Sequence, residues 1–382
     1  SVPAGHGFGA SEPSHLPKES WPFAIRWMGN YLGIEDQLDG HGALVVSAYV
    51  PSERMIHPDD LARIQAHFIE RAPPASQMRI LRPRAPVTKR FTPKRTSLSE
   101  DIPLVTLVHV DEARQRTLVG GYGQFGVCAG GPKKCGPKLR AHTPSGQTAW
   151  EHRFVSEPIH IENRQDGYRL TVIGAFRQDR GIAQILDLNI TGPSPTQKTL
   201  LAGGHRLTEH YTGDMDGDGR HDIVSVGFGD GFGPSGLGSV SVLWATDQFN
   251  AQYAVAPESM EQGMLPGALV GQTLMQEAGP LNAEVKDFDG DGLRDILLAR
   301  AQGSQQLIFW RNKGGRSFEK SYVKQWFVGF GLNCVKAADF DGDGDQDLLV
   351  VSGNNMEFPE PPLRPYHGLR ILENDGKMQF TE

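Results

Sequence analysis

A mainly β chain of repeated strand–turn–strand units, led by a small α-helical region, is the fold class this sequence predicts. Three observations predict it. A nine-residue acidic loop is written three times in the second half, at Asp214–Asp222, Asp287–Asp295 and Asp339–Asp347. A short apolar run follows each copy: Ile223-Val224-Ser225-Val226, Ile296-Leu297-Leu298-Ala299 and Leu348-Leu349-Val350-Val351. These runs have the length and composition of strands. Finally, 46 glycines and 26 prolines in 382 residues suit many short strands joined by turns.

The elements follow in order. Residues 1–78 read as helical. Phe23, Ile25, Trp27, Met28, Tyr31 and Leu32 form one helical-looking stretch. Pro58-Asp59-Asp60 opens a second helix, which carries Leu61, Ile64, Phe68 and Ile69 on one face and stops at Ala72-Pro73-Pro74. Residues 79–99 form a basic, proline-punctuated linker with Arg79, Arg82, Arg84, Lys89, Arg90, Lys94 and Arg95. It reads as a solvated connector, with docking onto an anionic partner as the sharper alternative.

From residue 100 onward the pattern is strand, turn, strand. Two degenerate units are expected before the acidic loops, one running from Val108–Glu112 into Leu118–Gly121 and one from Val172–Asp179 into Ile185-Leu186. Both lack most of the aspartates, so they predict units without metal. Cys128 and Cys135 flank a turn-rich segment that a disulfide can close, the alternative being a reduced pair; Cys334 reads as a small buried hydrophobe. The last residues read as a hairpin turning at Asp375-Gly376.

The acidic loops carry the chemistry. Carboxylates at positions 1, 3, 5 and 9 around turn-forming glycines suit a hard divalent cation that takes six to eight oxygens, which means Ca²⁺ first. Four like charges in so short a loop repel one another unless a cation sits among them. An EF-hand is excluded, because its position 12 must supply a bidentate Glu between helices. Here position 12 is Ser225, Leu298 or Val350, inside a strand-like run.

An apolar strand, D-x-D-x-D-G-x-x-D and a second apolar strand together resemble the FG-GAP (VCBS-type) repeat, the blade of calcium-bearing β-propellers such as those of integrin α-subunits. The resemblance is specific over roughly residues 200–382 and fades upstream. It implies a β-propeller over residues 100–382, with six or seven blades expected and possibly incomplete in this chain. It also implies calcium ligands. In the first loop these are the side chains of Asp214, Asp216, Asp218 and Asp222 with the carbonyl of Arg220. The second loop supplies Asp287, Asp289, Asp291, Asp295 and the carbonyl of Leu293; the third supplies Asp339, Asp341, Asp343, Asp347 and the carbonyl of Asp345.

The N-terminal region resembles a second family, bacterial proteins in which a small c-type cytochrome domain is fused to such a propeller. Gly5-His6-Gly7-Phe8, Leu16-Pro17-Lys18 with Trp21, and the Met55-Ile56-His57-Pro58 segment carry that resemblance. It implies a haem with His6 and Met55 as axial ligands and an electron-transfer role. The pattern departs at the attachment site, where C-x-x-C-H is replaced by Val2-Pro3-Ala4-Gly5-His6, so no thioether bond to haem can form.

Charge and composition narrow the function. Three Ca²⁺ ions bring the formal charge of −7 close to neutrality, so the acidity reports metal and gives no reason to expect a cationic partner. No apolar run reaches the ~18 residues of a membrane span, and no basic–aromatic interleaving marks a nucleic-acid binder. No nucleophile-elbow, zinc-protease or phosphate-loop motif occurs. His205, His210 and His221 gather near the first loop as candidates for acid–base chemistry. Ser1 opens into polar sequence without a signal-peptide pattern, which predicts a processed or truncated chain. The expected protein is an extracytoplasmic, calcium-stabilised scaffold for a protein or glycan partner, with electron transfer and a hydrolase site at the propeller axis as alternatives.

Overall fold

The computed structural model describes residues 12–34, 53–78, 104–122, 136–174, 183–203, 206–229, 237–246, 269–277, 279–301, 304–327, 330–353, 364 and 366–382. Two helices come first, α1 (Trp21–Tyr31) and α2 (Pro58–Arg71). Pro58 takes the first helical position of α2, where its missing N–H costs nothing. His57 caps it by accepting a hydrogen bond from the Asp59 N–H at 3.2 Å. Trp21, Ile25, Leu16 and Ala72 form a small core with Phe68 and Leu61 packed against it.

From residue 104 onward the described strands are all antiparallel. Five four-stranded sheets follow one another along the chain, each a simple meander. The first is β1 (Leu104–Asp111), β2 (Arg116–Tyr122), β3 (Lys138–His142) and β4 (Thr148–Arg153). The second is β5 (Pro158–Arg164), β6 (Gly167–Val172), β7 (Gln184–Asn189) and β8 (Thr196–Ala202). The third is β9 (Leu207–Gly213), β10 (Asp222–Gly229), β11 (Leu237–Ala245) and β12 (Leu269–Gln276). The fourth is β13 (Pro280–Lys286), β14 (Asp295–Arg300), β15 (Gln305–Asn312) and β16 (Phe318–Trp326). The fifth is β17 (Leu332–Ala338), β18 (Asp347–Ser352), β19 (Gly368–Asn374) and β20 (Phe380–Thr381).

The first strands of successive sheets touch one another, β1 against β5, β5 against β9, β9 against β13 and β13 against β17. This is a β-propeller with the first strand of each blade innermost. Five blades are described, one or two fewer than expected. The cores lie between neighbouring blades: Val224, Val226 and Trp244 of the third meet Val285, Ile296 and Trp310 of the fourth. Leu297 and Phe309 of the fourth in turn meet Val335 and Leu348 of the fifth. Each such side chain contributes about 1.5–3 kcal/mol by leaving water. Second strands are sandwiched on both faces. For that reason the runs after the acidic loops are continuously apolar, where half-exposed strands alternate.

The expected unit at residues 172–185 is misplaced by one hairpin. Blade 2 turns between β5 and β6 at Gln165-Asp166, and across β6 and β7 Val172 pairs with Gln184 and Thr171 with Ile185. The apolar segment around Val172 is a buried second strand; its burial on both faces was mistaken for the run that precedes a loop. The C-terminal hairpin turns at Asp375-Gly376 as expected, Gly376 taking φ 75°. The linker 79–99, His6, Cys128, Cys135 and His205 lie outside the described residues. Cys334 sits within β17, half-buried, with its thiol 3.5 Å from Asn282 Oδ1.

The helical region docks on blade 5. His15 stacks on Phe327 with ring centroids 3.6 Å apart, and Tyr366 meets the same ring edge-on. Met55 precedes α2 and is 71% exposed, with its N–H bonded to the Leu32 carbonyl. The small core of the helical region is filled by Trp21, Ile25 and Phe68.

Candidate metal centre

Each acidic loop joins the first strand of its blade to the second. In blade 3, both oxygens of Asp214 accept backbone N–H groups, Oδ1 from Gly217 at 2.7 Å and Oδ2 from Gly219 at 2.8 Å. Asp216 Oδ1 accepts the Asp218 N–H and Asp218 Oδ1 accepts the Arg220 N–H. Blades 4 and 5 repeat the pattern. Asp287 takes Gly290 and Gly292 at 2.8 and 2.9 Å, and Asp339 takes Gly342 and Gly344 at 2.6 and 3.1 Å. The turn needs left-handed backbone at both glycines, φ 81° and 83° in the first loop, which any Cβ would strain.

Position 9 has a different job. Asp222 and Asp295 are fully buried and Asp347 is 1% exposed. One oxygen of each accepts the N–H of loop position 2, from Met215, Phe288 or Phe340 at 2.9–3.1 Å. The other accepts an N–H at the end of the third strand, from Ala245, Asn312 or Asn374 at 2.8–2.9 Å. These carboxylates therefore tie the loop to the blade. Each oxygen keeps a second lone pair with which to meet a cation.

Burial raises the Asp295 carboxyl to about 6, opposed by its two backbone hydrogen bonds and reinforced by the charges of Asp289 and Asp291. Asp222 is raised for the same first reason. The smaller part of the Asp295 shift comes from neighbouring carboxylates, whose charge a divalent cation would compensate.

The donor set fits Ca²⁺. One oxygen from each of Asp214, Asp216 and Asp218 lies within 4.8 Å of the others, as for Asp287, Asp289 and Asp291 and for Asp339, Asp341 and Asp347. All are hard oxygen donors. The carbonyls at position 7 belong to Arg220, Leu293 and Asp345.

Arginines partly stand in for a cation in two loops. Arg316, from blade 4, reaches back to Asp216 in blade 3 at 2.8 Å, and Arg311 pairs with Asp289. Among the described residues no ion pair reaches the third loop, where Asp345 adds a fifth carboxylate. Burial raises its pKa first, and Asp343, Asp347 and Asp341 raise it further.

The two upstream blades carry arginines at the corresponding turns. In blade 1 the first turn places Arg114 on the buried Asp111 at 2.8 Å, with the Tyr168 hydroxyl donating to the same carboxylate. In blade 2, Arg164 pairs with Asp166 and Asp187. A guanidinium built into the chain neutralises these turns.

A second polar cluster lies along the innermost strands and is invisible to motif reading. Glu209 on β9 meets the His160 ring on β5, the Asn282 amide and Ala283 N–H on β13, and Lys336 on β17. His210 is buried, with its Nδ1 2.6 Å from Thr171 Oγ1 and its Nε2 3.3 Å from Glu162. Of the three histidines expected together, His221 is exposed and faces a cleft with Glu162, Arg169 and Thr212. The residues that do gather come from four blades and have no common sequence spacing.

Residues 287–350 match the FG-GAP-like repeat family, a stretch that contains the second and third acidic loops. No curated protein matches the chain. Among solved structures, a crystal structure of BBS1N in complex with ARL6DN, soaked with mercury, is similar at 14% identity. It covers 71% of this chain and 88% of that one with a TM-score of 0.31.

Proposed function

We propose that this protein is a calcium-stabilised propeller that presents a rigid face to a protein or glycan partner in an extracytoplasmic setting. The observation that carries the reading is the threefold recurrence of one loop architecture. Each recurrence has three converging carboxylate oxygens, and in each a buried position-9 carboxylate binds the loop to its blade, Asp347 doing both in the third loop. Binding energy at such loops is folding energy, since the unfolded chain offers no preformed site. Calcium-rich surroundings outside the cytoplasm keep loops of modest affinity filled. Among the described residues no helix is long and apolar enough to cross a membrane.

The test is metal content and melting. Protein purified without chelator should retain about three Ca²⁺ per chain, and EDTA should lower its Tm by several degrees, reversibly on adding Ca²⁺. Calcium content near zero with a Tm indifferent to EDTA would overturn the metal reading. For the partner, capture on immobilised glycan and protein panels should be strong in Ca²⁺ and lost in EDTA.

A further inference from the structure

Away from the acidic loops, His160, Glu162 and His210 each bring one ligand atom to within 4.8 Å of the other two, where blades 2 and 3 meet on their innermost strands. We infer that these three side chains form a site for a first-row divalent cation of the zinc class, linking blades 2 and 3.

The donor types select the metal. Two imidazoles and one carboxylate suit Zn²⁺ and its neighbours, whereas the all-oxygen loops suit Ca²⁺. The geometry agrees. With metal–ligand bonds of about 2.0–2.1 Å, two ligands of a tetrahedral site stand about 3.3 Å apart. Glu162 Oε2 and His210 Nε2 are separated by 3.3 Å.

An independent observation points the same way. The His210 side chain is fully buried, yet its Nε2 makes no hydrogen bond; the Glu162 oxygen is near but wrongly directed. The His160 Nε2 is likewise without a partner. A buried ring nitrogen left unpaired is costly, and a bound cation removes that cost. The other ring nitrogen of His210 is held by Thr171 Oγ1 at 2.6 Å. If Nδ1–H donates there, Nε2 carries the free lone pair, which is how metal-binding histidines are usually oriented.

Glu162 also lines the polar cleft with Arg164, Arg169, Thr212 and His221, which gives a cation a route from solvent.

The experiment uses the whole chain, stripped of metal and returned to millimolar Ca²⁺ so that the acidic loops are saturated. Co²⁺ is the probe, because ligation by imidazole and carboxylate gives it visible absorption. The expected result is one Co²⁺ per chain, displaced by one equivalent of Zn²⁺. Affinity should fall at least tenfold in His160→Ala and in His210→Ala and stay unchanged in His67→Ala, an exposed histidine on α2. His160 is part-exposed, so His160→Ala decides the matter if His210→Ala fails to fold. Absence of a stoichiometric Co²⁺ site in the calcium-loaded protein would overturn the inference, as would full affinity in His160→Ala. The calcium reading is tested separately by Asp289→Ala, so either proposal can fail without the other.

Discussion

Replacing Asp289 and Asp295 by alanine, one at a time, separates the two jobs that carboxylates do within a single loop. Asp289 accepts one N–H at 3.2 Å and pairs with the half-exposed Arg311. Without metal, its loss removes one turn hydrogen bond and a solvent-screened ion pair, about 1 kcal/mol together. With Ca²⁺ at a hundred times its Kd, binding adds about 2.7 kcal/mol to stability. Removing a ligand forfeits most of it, so Asp289→Ala should cost about 3–4 kcal/mol in calcium.

Asp295→Ala differs, because it strands two buried donors, the N–H groups of Phe288 and Asn312. Each costs about 1–3 kcal/mol with or without calcium. At about 2–4 °C per kcal/mol for a domain of comparable size, Asp289→Ala should lower the Tm by about 6–16 °C in Ca²⁺ but only about 2–4 °C in EDTA. Asp295→Ala should lower it substantially in both. The assay is a thermal melt followed by circular dichroism in matched buffers. Equal losses for Asp289→Ala in Ca²⁺ and EDTA would refute the assignment of that side chain to a cation.

Asn312→Ala should destabilise by about 2–3 kcal/mol independently of calcium, because its buried amide donates to the Met215 carbonyl of the neighbouring blade at 2.7 Å and to the Arg294 carbonyl; urea melts check this. In blade 1, Arg114→Met should leave the buried Asp111 carboxylate unpaired and cost about 3–5 kcal/mol, equally in Ca²⁺ and EDTA. The pH dependence of Asp111 has a definite sign. Burial opposes its ionisation, but hydrogen bonds from Arg114 and Tyr168 hold its pKa below the ordinary carboxylate value. Its stabilisation is therefore full above about pH 4 and disappears as pH falls through the lower folded value. A Tm–pH series should show a shallower acid limb for Asp111→Asn than for the parent. Gly292→Ala should cost about 1 kcal/mol or more, because φ is 87° with open space around the missing Cβ; the loss then reports backbone strain alone.

The loops and the strands beside them are legible in the sequence because their determinants are local. Asp287 needs Gly290 and Gly292 only three and five residues on, and Ile296–Ala299 is apolar throughout because β14 is covered on both faces. The start of α2 at Pro58 and the hairpin at Gly376 are local in the same way.

Tertiary structure decided what depends on groups far apart in the chain. Asp295 and Asp289 look equivalent as text. Only the third strand, arriving with the Asn312 N–H, makes one of them a buried tie. The replacement of a cation by Arg114 in blade 1 is unreadable from the turn alone, since Tyr168, 57 residues from Asp111, completes it. Likewise His160, Glu162 and His210 become neighbours only because the first strands of two blades lie side by side. The sequence by itself determined that this chain makes repeated blades with acidic turns, because short-range backbone geometry and periodic burial write those into contiguous residues. Which carboxylate is buried against its blade, which turns carry an arginine, and which side chains of the innermost strands meet were set by blade stacking. That packing is a long-range arrangement with no local sequence signature.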